Sequence, residues 1–182
     1  MRIISGKYRG AKLFSPADYR VRPTTDRIKE SVFNILASKM KFTGIAVLDL
    51  FAGSGALGLE ACSRGAEKVV FVDRDKDSMK LVKNNIAKLK LPEDIYETYL
   101  CEFDFALKKL NGRRFDIIFA DPPYASDAYS KVAVLMEKYD ILADGGVIVV
   151  EHDKDNSVNT GGFNCDCRIM GNTAVSFLTR RD

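Results

Sequence analysis

The chain has very little of what several common protein classes require. One histidine (His152) and four cysteines are its whole stock of soft metal ligands among 182 residues, too few for a zinc site to be expected. Cys62 and Cys101 fall inside apolar segments, and Cys165 and Cys167 alternate as strand residues do. None of the four has the setting of a secreted disulfide framework, so reduced thiols in the cytoplasm and no bound metal are expected. Long apolar runs are absent too. "IIFA" (117–120) and "VIVV" (147–150) are of strand length, far below a membrane span. The opening "MRIISGKYRG" shows no apolar core of a secretory signal. No repeat, low-complexity tract or long linker divides the sequence. With 46% hydrophobic and 29% charged residues, it reads as one globular domain, 1–182.

Excess charge is small overall, at +3, but unevenly placed. Residues 1–41 hold ten Lys/Arg against three Asp/Glu, whereas the remainder carries a balance of −4. A basic extension (1–41) on a mildly acidic body (42–182) suggests an anionic partner held at one end, with nucleic acid favoured over a merely solvated surface.

The first stretch, "RIISGKYRGAKLFSP", alternates around Gly6 and Gly10 and reads as a small β-hairpin. A helix follows, with Thr24, Thr25 and Asp26 as cap candidates and Ile28, Val32, Ile35, Leu36 and Met40 at helical spacing. From residue 45 the pattern becomes strand, loop, helix, repeated. The strands are "IAVLDLF", "KVVFVD", "IYETYLC", "FDIIFAD" and "GGVIVVEH". "AGSGALGLEACSRG" is a loop opening into a helix, a second helix has Met79, Val82, Ile86 and Leu89 as apolar positions, and others lie at about 103–110 and 126–139. The tail forms two strands around Gly171-Asn172, a hairpin pair. Apolar strands alternating with helices predict a doubly wound α/β domain with a mostly parallel sheet and an antiparallel edge.

Ligands of such sheets bind beyond the carboxyl ends of the strands, where the strand order reverses. Gly53-Ser-Gly55-Ala-Leu-Gly58 follows the first strand and matches the spacing of a nucleoside-binding glycine loop; Asp73, with Arg74 beside it, comes 20 residues after Gly53. Asp49 ends the strand in "LDLFAGSG". Its carboxylate would repel a pyrophosphate and attract a cationic amino group. S-adenosylmethionine, with a ribose, an ammonium and a sulfonium but no phosphate, fits this better than NAD. The same residues also suit a plain tight turn, with Asp49 capping the next helix and Asp73 paired to a neighbouring cation.

"FADPPYAS" (119–126) is the unusual stretch. Two prolines after a strand make a stiff, extended corner. Asp121 and the carbonyl of Pro122 supply two acceptors, which suit an exocyclic NH2 group, and Tyr124 can stack on a base. Held this way, the amino nitrogen is drawn toward tetrahedral geometry with its lone pair aimed at a sulfonium methyl. A duplex base cannot enter such a corner, so the target must be unpaired or flipped. Chemistry alone fits guanine, adenine or cytosine equally.

"DLFAGSG" and "DPPY" resemble the amino-methyltransferases that use S-adenosylmethionine. "RIISGKYRGAKL", "RPTTDRIKESVFNIL", "VLDLFAGSGALGLEACSRGA" and "FDIIFADPPY" extend the resemblance, over nearly the whole chain, to the bacterial 16S rRNA guanine-N2 methyltransferases of the RsmD type. That resemblance implies a Rossmann-like class I methyltransferase fold and methylation of one guanine in 16S rRNA, on assembled or assembling 30S subunits. It implies that Asp49, Phe51, Gly53 and Gly55 surround the methionyl part of the cofactor and that Asp73 holds the ribose. Asp104 would meet the adenine, with Phe105 nearby, and Asp121, Pro122 and Tyr124 would hold the guanine. Arg2, Lys7, Arg9, Arg22 and Arg27 would contact phosphates. A monomer with no membrane partner is expected. The rivals are a DNA adenine-N6 or cytosine-N4 methyltransferase, a nicotinamide-dependent oxidoreductase, and a catalytically silent RNA-binding protein.

Overall fold

The computed structural model describes residues 1–16, 26–122, 128–156 and 158–181. Its elements run α1 (Asp26–Lys39), β1 (Ala46–Asp49), α2 (Ala56–Arg64), β2 (Lys68–Asp73), α3 (Lys76–Leu89), β3 (Tyr96–Leu100), α4 (Phe103–Lys109), β4 (Phe115–Ala120), α5 (Ala128–Lys138), β5 (Leu142–Asp153), β6 (Phe163–Met170) and β7 (Thr173–Arg180). Among these residues the strands form a seven-stranded sheet in the order β3-β2-β1-β4-β5-β7-β6. β1 pairs in parallel with both β2 and β4, and β7 runs antiparallel to β5 and β6. The reversal of strand order therefore falls between β1 and β4, which opens a crevice beyond their carboxyl ends.

Apolar spacing decides which helix face is buried. Ile28, Val32, Phe33 and Leu36 of α1, with Met79, Val82, Ile86 and Leu89 of α3, pack with α2 on one face of the sheet. Leu107 of α4 and Met136 of α5 belong to the core on the other face. Asp75 caps α3 by accepting the Ser78 N–H at 2.7 Å. The tail hairpin turns at Gly171-Asn172, with Met170 facing Thr173 and Gly171 at φ +71°. His152 is a buried sheet residue bonded to the Ser176 hydroxyl at 2.9 Å. All four cysteines are free thiols. Among the described residues no helix is long and apolar enough to cross a membrane.

Three features depart from the sequence reading. The N-terminal hairpin forms one antiparallel β-bridge, Arg2–Lys12, with backbone bonds from Ile3 to Ala11, Gly10 to Ile3 and Leu13 to Met1, rather than a strand ladder. The N–H groups of Ile4, Ser5 and Lys7 turn to α2. The fifth strand starts at Leu142 rather than at Gly145. Its pairing with β4 jumps from Phe115–Leu142 to Ile117–Val147, so residues 143–146 form a bulge, and Gly145 and Gly146, expected to open the strand, lie within it. Lys29, counted with the basic extension, is fully buried. The expected caps Thr24 and Thr25 lie outside the described residues.

Lys29 is buried for a reason. Glu60 of α2, also fully buried, accepts from the backbone N–H groups of Ile4 (2.7 Å) and Ser5 (3.0 Å) and from Arg64 Nε (2.8 Å). Lys29 Nζ lies 3.6 Å from the same carboxylate and donates to the carbonyl of Arg2. Burial holds the Lys29 ammonium below its usual pKa, with Glu60 and Asp26 opposing the drop. Gly6 completes the docking: at φ +84°, any Cβ on it would lie 1.8 Å from the Ser63 carbonyl oxygen. The extension is thus fastened to the helix that follows the glycine loop. The two partners are not equivalent. Removing Glu60 leaves Lys29 only a carbonyl, whereas removing Lys29 leaves Glu60 an arginine and two N–H groups. Glu60→Ala is expected to cost about 3–5 kcal/mol in urea unfolding, and Lys29→Met clearly less; equal losses would contradict this arrangement.

Candidate active site

Where a parallel ladder ends, the following N–H groups need new acceptors. At the end of β1 these come partly from the neighbouring strands: Leu50 N–H donates to Phe119 O and Ala52 N–H to Val72 O, both at 2.9 Å. The rest come from carboxylates. Gly53 N–H donates to Asp73 Oδ2 at 2.8 Å, and Gly58 N–H, in the first turn of α2, to Asp49 Oδ2 at 3.0 Å. Gly53 (φ +56°) and Gly55 (φ +78°) take the left-handed backbone that the turn requires. Gly58 is excluded from carrying a side chain by packing, since a Cβ would lie 2.4 Å from the Phe71 ring.

Asp49 therefore does cap the following helix, and it is nearly sealed from solvent at 2% exposure. Burial pushes its pKa up to about 7, opposed by the Gly58 N–H and reinforced by the charge of Asp73. Among the described residues Asp73 pairs with no Lys or Arg; its second oxygen accepts from Asp75 N–H at 2.9 Å. Burial raises its pKa as well, while the N–H donors of Asp75 and Gly53 hold it down. The Arg74 N–H adds to these, and a carboxylate with about four lone-pair positions keeps some acceptor capacity beyond them. Arg74 points away, in an exposed ion pair with Glu102 at 3.5 Å.

Asp121 and Pro122 follow β4 directly, two and three residues past Phe119, which pairs with Asp49. Asp121 is half-buried and Pro122 buried. Pro123 and Tyr124 lie outside the described residues. Half-buried Phe51 packs against Phe103, ring centroids 5.3 Å apart and tilted by 41°. The sequence reading missed Phe103; its only local signal is its place one residue before Asp104. Asp104 is exposed on the first turn of α4, its Oδ1 accepting from Phe105 N–H at 2.7 Å. Phe105 is 60% exposed. So Asp49, Phe51, Gly53, Gly55, Asp73 and Asp121 stand at or just past the carboxyl ends of the adjacent strands β2, β1 and β4, while Asp104 and Phe105 are exposed on the first turn of α4 and Arg74 is exposed after β2.

On the basic extension, Arg2, Lys7, Arg9 and Arg27 are exposed, and Arg22 lies outside the described residues. Arg2 bonds Asp26 through its backbone N–H at 3.2 Å. Lys7 Nζ lies over the Tyr8 ring at 5.3 Å. Met1 Sδ meets the Ser54 hydroxyl at 3.5 Å, so the chain start abuts the glycine loop.

A sheet of this order, with a glycine loop and an acid at adjacent strand ends, has the Rossmann-like fold of S-adenosylmethionine-dependent methyltransferases. One such enzyme from Agrobacterium tumefaciens superposes with a TM-score of 0.64 over 88% of this chain and 63% of its own; at 18% identity this is a likeness of fold. The family follows from the sequence. The model of the family described as Conserved hypothetical protein 95 matches residues 1–178, and the chain belongs to that family, the RsmD family. Ribosomal RNA small subunit methyltransferase D of Haemophilus influenzae is 37% identical over 161 residues, covering 88% of this chain and 82% of the relative. The solved Escherichia coli protein yhhF, described as a methyltransferase, is 33% identical with a TM-score of 0.85, covering 99% of this chain and 97% of that one.

The buried Asp49 yields a pH signature. Its carboxyl titrates near 3.8 when unfolded and about 7 when folded, so the folded form keeps its proton between those values and stability falls as pH rises through them. The gap of about three pH units corresponds to roughly 4 kcal/mol at 1.36 kcal/mol per unit. Asp49→Asn retains an acceptor for Gly58 and lacks this loss. Urea unfolding should show the variant gaining on the parent from pH 4 to 7 and running parallel above; parallel curves throughout would exclude a raised Asp49 pKa.

Proposed function

We propose that the protein transfers a methyl group from S-adenosylmethionine to the exocyclic 2-amino group of a guanine in 16S rRNA, on assembled or assembling 30S subunits. The observation that carries the reading is the Asp121-Pro122 corner at the end of β4, beside the glycine loop and at the reversal of strand order. The names of the family's relatives support rRNA of the small subunit as the substrate class.

The donor set fits the cofactor. The remaining acceptor capacity of Asp73 suits a ribose hydroxyl. Asp49, Phe51, Gly53 and Gly55 border the place of the methionyl part, where a cationic amino group would draw Asp49 into its ionised form. Phe51 and Phe103 offer an apolar wall, and Asp104, Phe105 and Arg74 form the rim where the adenine would lie. When bound, the cofactor supplies an electrophilic methyl group on sulfur.

The chain's own residues deal with the nucleophile. Asp121 and the Pro122 carbonyl accept the two N–H groups of guanine N2, and Tyr124 stacks on the base. As the nitrogen–carbon bond forms and the sulfur–carbon bond breaks, the nitrogen becomes acidic and its proton passes to Asp121 or to water, leaving S-adenosylhomocysteine and N2-methylguanosine. Positioning, more than base strength, lowers the barrier. The extension 1–41, through Arg2, Lys7, Arg9, Arg22 and Arg27, contacts phosphates, while 42–182 carries cofactor and chemistry. The enzyme acts in the cytoplasm as a monomer.

Asp121→Ala should lower kcat for methyl transfer to small subunits by about 10³-fold or more while leaving S-adenosylhomocysteine affinity within about threefold, by calorimetry. Transfer at the parental rate would overturn the role given to the corner.

A further inference from the structure

The excess positive charge is not confined to the extension. Residues 76–90 hold five lysines, 76, 80, 83, 88 and 90, against Asp77 alone, inside a body whose overall balance is negative. Lys76, Lys80 and Lys83 stand at i, i+4 and i+7, so they form one stripe along the exposed face of α3. Among the described residues none of these lysines enters an ion pair, in contrast to Lys68, Arg74, Arg113, Arg114 and Arg168 elsewhere in the body. A stripe of free lysines could be only a solvated helix face, so what stands beside the helix decides the matter.

Further along the same helix, beside Lys88, stands Phe14, a large apolar side chain left 48% exposed. Its backbone is fixed from both sides by Asn85 of α3, which is fully buried: Phe14 N–H donates to Asn85 Oδ1 at 2.7 Å, and Asn85 Nδ2 donates to Phe14 O at 3.0 Å. The same amide nitrogen donates to Ser54 O, in the glycine loop, at 2.9 Å. Lys88 Nζ lies 4.4 Å from the Phe14 ring centroid. An aromatic ring thus stands rigidly where the basic extension meets α3, beside Lys88 and one hydrogen-bonded residue away from the cofactor loop. Ring and stripe together match a single-stranded nucleic acid, which offers base faces to stack and phosphates to neutralise.

We infer that the exposed face of α3 with Phe14 is a second RNA-binding surface, on which unpaired nucleotides flanking the target stack against Phe14 while their backbone runs along Lys76, Lys80 and Lys83. It rests on the reading of the protein as an rRNA methyltransferase. Asn85 then holds the RNA platform and the cofactor loop in fixed relation.

The test compares parent, Lys80→Gln/Lys83→Gln, Phe14→Ala and Phe14→Tyr. It measures binding of a fluorescent single-stranded RNA over a range of KCl, calorimetric binding of S-adenosylhomocysteine, and KM for small subunits. The double variant should bind RNA about tenfold more weakly, with the slope of log K against log salt reduced by about 1.5. Phe14→Ala should weaken binding by about tenfold at an unchanged slope, and Phe14→Tyr should restore it. Both losses should raise KM and spare S-adenosylhomocysteine affinity. A double variant with parental slope, affinity and KM would overturn the inference and leave the methyltransferase reading standing. A parent that binds no RNA and methylates no subunit would remove both.

Discussion

Everything about the crevice follows from a shortage of acceptors where the parallel ladder stops. Just beyond β1 the N–H groups of Leu50 and Ala52 still reach carbonyls of β4 and β2, but those of Gly53 and Gly58 do not, and two acids stand in. Asp49 takes the N–H of Gly58 and Asp73 that of Gly53. Those bonds bend the chain into the glycine loop, start α2, and leave two carboxylates at the edge of the space where strand order reverses. The acids that shape the loop are thus the acids to which the proposed function gives the cofactor. Burial raises the pKa of each, and a cation placed beside either would favour its ionised form.

A third acid extends this logic to the substrate side. Glu60, on the helix that the glycine loop begins, binds the backbone of Ile4 and Ser5, and Lys29 closes the joint toward α1. Asn85 repeats the pattern further along, joining Phe14 to Ser54 and α3. The basic extension is therefore not tethered loosely to a finished core. Ile3 and Leu13 are buried in the same cluster as Val47 and Phe71. Such a build holds the extension's basic side chains in fixed relation to the glycine loop, which the proposed reaction, governed by positioning, would use.

Much of this was legible in the sequence because it is local. Strands beginning at Ala46, Lys68 and Phe115, the glycine loop, the acids at β1 and β2 and the Gly171-Asn172 turn each sit in a short pattern. What stayed hidden is either long-range or ambiguous. Glu60 meets Ile4 from 56 residues away and Asn85 meets Phe14 from 71, and no periodicity marks such pairs. Lys29 counts as a surface charge until Glu60 is placed beside it. Asp144-Gly145-Gly146 carries turn chemistry, yet the neighbouring β4 captures it as a bulge. Phe103 and Phe105 lie two residues apart, and only packing reveals that Phe103 meets Phe51. The lysines of α3 were diluted in an acidic average over the body.

The most direct test of the central claim is to follow the methyl group. S-adenosylmethionine labelled on that carbon would be supplied with the protein to 30S subunits lacking the modification, to naked 16S rRNA and to duplex DNA, each then digested to nucleosides. Label recovered as N2-methylguanosine from the subunits is the predicted result. Label in DNA, or in another nucleoside of the RNA, would contradict the assignment of guanine N2 in the small subunit.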